Sequence, residues 1–198
     1  MKTLLVDCYL RDSEPKMKFY REMCGAHSEI FEVKLADWNP GFNLTGFDAV
    51  VLSGSQWMIS EDEPDEELKG FIRKIKIPTL GICFGHQLLA CSFGAVVKRG
   101  EGFIERDETI EIVQDWEIFN GFDGKVVMRE SHQEYVTPES IKEIGWQIGA
   151  VSSSCPVEAI RHPDLPLYGV QFHPERSGVS GKRLFANFYR FILYKGTK

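Results

Sequence analysis

The sequence lacks an apolar run approaching the ~20 residues that a membrane-spanning helix needs. It has no basic stripe. Its 23 Lys and Arg are outnumbered by 29 Asp and Glu, for a net charge of −6, so neither nucleic acid nor a membrane is an expected partner. It has no Cys-x-x-Cys pair, and its five cysteines are scattered and odd in number. Neither a zinc site nor a disulfide framework is expected, and a reducing, cytoplasmic setting fits best. No metal or cofactor is called for. The first residues, MKTLLVDCYLRD, carry Asp7 inside a short apolar run and no small-residue cleavage site. They read as a strand and not as a signal peptide.

What is present suits a single globular domain over 1–198. Hydrophobic residues make up 43% of 198, enough for a substantial core. Residues 3–9 and 48–54 read as buried strands, and 29–35 alternates like a strand. Between the first two lies a helix pattern with Ser13 as N-cap, Pro15 in its first turn and Gly25 at its end. Residues 64–77 predict an amphipathic helix with Leu68, Phe71, Ile72 and Ile75 on one face. Residues 79–83 predict the next strand, and 84–94 a short buried helix stopped by Gly94. This alternation predicts an α/β fold, an open and mostly parallel sheet flanked by helices. Further on, 109–113, 125–130, 144–149 and 157–161 are short antiparallel strand candidates. Residues 167–172 predict another buried strand, and 181–194 a terminal amphipathic helix.

One corner stands out. In GICFGHQ, residues 81–87, Cys83 lies where a strand gives way to a helix, with Gly81 and Gly85 on either side. A tight strand-to-helix turn exposes its central side chain and needs small neighbours. In open α/β sheets such strand ends are where ligands bind. The helix that follows presents backbone N–H groups to a developing oxyanion. A nucleophilic thiol needs a base, and the base needs an orienting group. His173 in GVQFHPE directly follows the strand 167–172, and Glu175 lies two residues on, with Pro174 between them. Cys83, His173 and Glu175 are the candidate catalytic residues.

GICFGHQ together with GVQFHPE resembles the class I glutamine amidotransferase family, over nearly the whole chain. The resemblance implies a flavodoxin-like three-layer fold and hydrolysis of L-glutamine to glutamate and ammonia through a thioester on Cys83. It implies an oxyanion hole formed by the amides of Phe84 and Ser55, with Gly54 allowing the turn. By motif position Gln87 is a substrate-binding glutamine, and Ser131, Gln133 and Glu134, in the loop SHQEY, hold the α-amino and α-carboxylate groups of glutamine. His132 faces a partner domain. The family's oxyanion turn is rich in Gly and Pro, whereas this chain has Ser53-Gly54-Ser55-Gln56-Trp57. A side chain at Ser55 is expected to hinder an unusual backbone conformation there and to leave the hole misformed until a partner binds.

SHQEYV, SCPVEAI and LPLYGVQFHPE look most like the branch in which the glutaminase is a separate subunit of GMP synthetase. The implied partner is an ATP-dependent synthetase on another chain. SGS followed by an acidic loop also resembles stand-alone γ-glutamyl peptidases with the same triad. A third reading is a non-catalytic regulatory or binding protein on this fold. The acidic run 61–67 reads as a solvated helix start. Trp57 follows the oxyanion turn and is placed to wall the glutamine pocket.

Overall fold

The computed structural model describes residues 1–38 and 41–195. Nine strands form one sheet: β1 (Lys2–Asp7), β2 (Glu29–Lys34), β3 (Ala49–Leu52), β4 (Thr79–Ile82), β5 (Val97–Ile112), β6 (Lys125–Val136), β7 (Gln147–Val151), β8 (Ala159–Arg161) and β9 (Leu167–Val170). Their order is β2-β1-β3-β4-β9-β8-β7-β5-β6. The five strands from β2 to β9 pair in parallel. The remaining pairings are antiparallel. β3, β4 and β9 are buried along their length, as parallel strands covered on both faces must be.

Among the described residues five α-helices flank the sheet: α1 (Glu14–Gly25), α2 (Glu66–Ile72), α3 (Phe84–Ser92), α4 (Pro138–Glu143) and α5 (Gly178–Lys195). Met17 and Tyr20 of α1 pack with Leu184, Phe185 and Phe188 of α5 on one side of the sheet. Phe71 and Ile72 of α2, Leu88 and Leu89 of α3 and Ile141 of α4 fill the other. Along β1, Leu5 joins the first cluster and Leu4 and Val6 the second, the period-two alternation of a strand between two layers.

Several elements differ from the sequence expectation. α2 is shorter than 64–77, because after Ile72 the chain continues as tight turns, Lys74 N to Phe71 O and Ile75 N to Ile72 O. Ile75 is still buried, which keeps the apolar stripe running past the helix. Ser13 precedes α1 but makes no side-chain cap bond; Asp65 does cap α2, accepting from Leu68 N at 2.8 Å. The segments 109–113 and 125–130 belong to the two longest strands, β5 and β6, and residues 131–135 lie within β6 and are not a loop. The inward positions of β6 are Val126, Met128, Glu130, His132, Glu134 and Val136. The polar ones among them hide the strand's hydrophobic alternation. All five cysteines are free and buried. No described helix is long and apolar enough to cross a membrane.

Candidate active site

β4 is held between β3 and β9, and Cys83 directly follows it. There the backbone turns sharply, with φ 52° and ψ −105°, a conformation that costs a non-glycine residue on the order of 1–3 kcal/mol. The surroundings over-determine it. Cys83 N donates to Val170 O (2.8 Å), Gln87 N to Cys83 O (3.1 Å) and Gly85 N to Ser53 O (3.1 Å). A Cβ on Gly85 would lie 2.5 Å from Leu52 O and 2.7 Å from Leu52 Cβ. Only glycine lets α3 start this close to the end of β3.

His173 follows β9 and is tied by its own backbone. Its N–H donates to Arg129 O (2.7 Å), and Ser177 Oγ donates to its carbonyl (2.7 Å). His173 Nδ1 lies 2.6 Å from Glu175 Oε1, where Pro174 opens a short 3-10 turn that swings the carboxylate back onto the ring. His173 Nε2 is 3.3 Å from Ser131 O, and Cys83 Sγ is 3.8 Å from the same oxygen. The three residues picked out of two distant motifs therefore converge. Burial opposes protonation of His173, but Glu175 and Cys83 outweigh it and hold the imidazole well above its ordinary range. Both ring nitrogens face acceptors, which is the arrangement an imidazolium needs.

The turn 53–57 is held by side chains. Ser53 Oγ accepts from Cys8 N (2.9 Å) and donates to Gly54 O (2.9 Å). Ser55 Oγ donates to Cys8 O (2.6 Å) and accepts from Trp57 N (3.0 Å). Ser55 is not among the residues with positive φ, so the turn keeps an ordinary backbone at this side chain. Gly54 N donates to Tyr20 Oη (3.0 Å), which leaves Gly54 a spatial role. A Cβ there would meet Tyr9 Oη at 3.1 Å, His173 Cε1 at 3.2 Å and Tyr20 Oη at 3.3 Å. Among the described hydrogen bonds the amides of Ser55 and Phe84 have no acceptor. Sequence reasoning does not find Tyr9 and Tyr20. Tyr20 is one of several inward residues of α1, and nothing in the local sequence sets it apart from core.

These groups open into a cavity of about 710 Å³ lined by Tyr9, Trp57, Cys83, Phe84, Gln87 and His173 among others. Trp57 walls it, stacked on Phe84 with ring centroids 5.5 Å apart. Gln87 Nε2 donates to Glu134 O (3.1 Å) and Gln171 Oε1 (3.0 Å). Ser131 contributes its carbonyl. The Glu134 carboxylate accepts from Ile59 N (2.8 Å) and Ser60 N (2.9 Å) and so anchors the loop after the turn 53–57. Gln133, with its amide oriented to accept, receives Arg99 Nε (3.1 Å) and Nη2 (3.2 Å). His132 points inward and is buried, not towards a partner, because it shares the inward face of β6.

A thiol at a strand-to-helix elbow, a carboxylate-oriented imidazole and two free amides define a cysteine-nucleophile hydrolase site on an α/β sheet. Residues 6–191 match the family Glutamine amidotransferase class-I, and the chain belongs to that family. Among its relatives, a glutamine-hydrolyzing GMP synthase subunit of Methanothermobacter thermautotrophicus is 36% identical over 74% of this chain and 80% of its own. The corresponding GMP synthase subunit of Pyrococcus furiosus is 40% identical over 67% of this chain and 73% of its own. The crystal structure of a Thermoplasma acidophilum protein, described provisionally as a GMP synthase subunit, superposes with a TM-score of 0.83 at 25% identity, covering 100% of this chain and 96% of that one.

Proposed function

We propose that this chain is the glutaminase subunit of a two-subunit GMP synthetase. It hydrolyses L-glutamine and passes ammonia to a separate, ATP-dependent synthetase chain in the cytoplasm. The observation that carries the reading is the convergence of Cys83 Sγ and His173 Nε2 on the Ser131 carbonyl oxygen, in a cavity all three residues line, in a chain similar along most of its length to glutamine-hydrolyzing GMP synthase subunits.

Cys83 Sγ attacks the side-chain amide carbon of glutamine, and its proton resides on His173. The carbonyl oxygen becomes an oxyanion facing the amides of Phe84 and Ser55. His173 protonates the departing nitrogen, the C–N bond breaks, and ammonia leaves a γ-glutamyl thioester on Cys83. Water attacks the thioester, His173 takes its proton, and glutamate departs as the Cys83 thiolate re-forms beside the protonated His173. Glu175 keeps Nδ1 protonated and the ring oriented throughout. Gln87 and the segment Ser131–Glu134 border the space the amino-acid end of glutamine would fill. They serve it through different groups: the side-chain amides of Gln87 and Gln133, the Ser131 carbonyl, and Glu134 through the loop it anchors.

The test is glutamate release by the purified chain from glutamine and, in parallel, from a γ-glutamyl dipeptide. Release from glutamine that rises when the synthetase chain is added is expected. Faster dipeptide cleavage with no partner would replace this reading by a γ-glutamyl peptidase. His173→Ala is expected to lower turnover by at least about 10³-fold. Glu175→Gln is expected to lose less and to bring the His173 pKa down, because the carboxylate that favours the imidazolium is gone. A loss in Glu175→Gln as large as that in Cys83→Ala would contradict an orienting role.

A further inference from the structure

Beneath Ser131 lies an unusual polar interior. β6 is separated from β9 in the sheet by β5, β7 and β8, yet Arg129 pairs with His173. The sheet curls so that its far edge meets the β9 end. Glu130 of β6 and Glu158, the residue before β8, fill the space inside that curl. Both are fully buried. They lie within reach of one another; no donor of good geometry meets any of their four carboxyl oxygens, and the side-chain donor near them is the Ser152 hydroxyl, beside Glu158. The neighbouring Glu108 shows what an ionised carboxylate receives in this region. It accepts from Ser153 Oγ (2.6 Å), Ser154 Oγ (2.6 Å) and Arg106 Nη2 (3.0 Å).

One hydroxyl beside Glu158 does not keep two contacting, buried carboxylates both ionised. His132 does not resolve the conflict. Its Nδ1 lies 2.9 Å from Glu134 O, a carbonyl that can only accept, so Nδ1 carries the ring proton. Its Nε2 is left 3.2 Å from Glu130 Oε2 without hydrogen-bond geometry. One proton between the two glutamates satisfies the pair: the hydroxyl of one donates to the carboxylate of the other.

We propose that Glu130 and Glu158 are positioning residues joined by one shared proton, and that this bridge fixes the Ser131 carbonyl on which Cys83 and His173 converge. Glu130 adjoins Ser131 in β6. Glu158 O accepts from Gln171 N (2.8 Å), two residues before His173. The bridge therefore ties the strand carrying the carbonyl to the segment carrying the imidazole. Burial, against the pull of His173, pushes the Glu130 carboxyl up to about 8 and holds Glu158 well above its usual range. The titratable and charged groups facing the pair are Glu108 and Arg106 from β5, His132 from β6, His173, and the Cys155 thiol ahead of β8. The folded chain then keeps a proton that the unfolded chain releases near the ordinary value of 4.5. Stability contributed by the pair is present at low pH and falls as pH rises towards 8, because the native state binds more protons over that window.

The kinetic part of this inference rests on the glutaminase reading; the physical part does not. The experiment compares the full chain with Glu130→Gln, Glu158→Gln and Glu130→Leu. It follows thermal unfolding from about pH 5 to about pH 9, the ring NMR signals of His173, and glutamate release. In either glutamine variant the amide donates to the remaining carboxylate, so the bridge persists without a titrating proton. The decline of the unfolding midpoint with pH is expected to flatten. Glu130→Leu breaks the bridge and is expected to move the His173 ring signals and to lower kcat by at least about tenfold with KM changed less than about threefold, and Glu130→Gln to recover most of that loss. Glutamine variants that follow the wild-type pH slope would overturn the shared proton. Wild-type kcat and His173 signals in Glu130→Leu would overturn the positioning role. Should Glu130→Leu not fold, the two glutamine variants and their His173 signals decide. Should the wild type release no glutamate, the glutaminase reading fails while the unfolding and NMR results still judge the bridge.

Discussion

Cys83→Ala is expected to abolish glutamate release, by at least about 10⁴-fold, because no other group at the elbow can form the thioester. The alanine variant should unfold close to the wild-type midpoint. It keeps a Cβ at a backbone of φ 52° and ψ −105° and loses only a sulfur. Cys83→Gly separates the two properties further. It is equally inactive, but a glycine relieves the backbone conformation and should raise stability by roughly 1–2 kcal/mol, within the cost of such a strained residue. Activity assays paired with denaturant unfolding of the three proteins check both statements. Glycine and alanine variants of equal stability would mean the elbow stores no strain. Turnover retained in either would remove Cys83 from the chemistry.

Gly85→Ala is expected to damage the site without touching a reacting group. The added methyl would lie 2.5 Å from Leu52 O, a backbone atom in the middle of the sheet that cannot yield. Either α3 lifts off the end of β3 or β3 shifts. Overpacking of this kind costs about 1–3 kcal/mol and more when backbone must move. The same displacement breaks the Gly85 N to Ser53 O bond and pulls the Phe84 amide away from the turn that carries Ser55. Loss of stability and a fall in kcat of at least about 10²-fold are expected together. A folded Gly85→Ala protein with wild-type kcat would show that the elbow and the oxyanion turn need not be so close.

Much of this is legible in the residues. β1, β3, β4 and β9 announce themselves because each is a short apolar run ending in small or polar residues, and burial on both faces demands that composition. α1 and α3 follow from apolar spacing and glycine stops, and α5 from apolar spacing alone. Cys83, His173 and Glu175 are legible because the chemistry is local at each motif: a thiol between glycines, and a histidine two residues from a carboxylate at a strand end. The β5–β6 arm is legible only in pieces. Its inward side carries Glu130, His132 and Glu134 where an ordinary strand would carry apolar residues, so the alternation that marks a strand is masked.

The sequence by itself determined the order of strands and helices in the parallel part and picked out Cys83, His173 and Glu175 as the proposed nucleophile, base and orienting carboxylate, because these depend on neighbours within a few residues. Tertiary structure alone decided the rest. It curled the sheet so that Arg129 meets His173, placed Tyr20 on the Gly54 amide, turned Glu134 onto the backbone of 59–60, and buried Glu130 against Glu158. Each of these joins groups far apart in the chain, and their energies come from exclusion of water and from hydrogen-bond partners that only the packed molecule brings within reach.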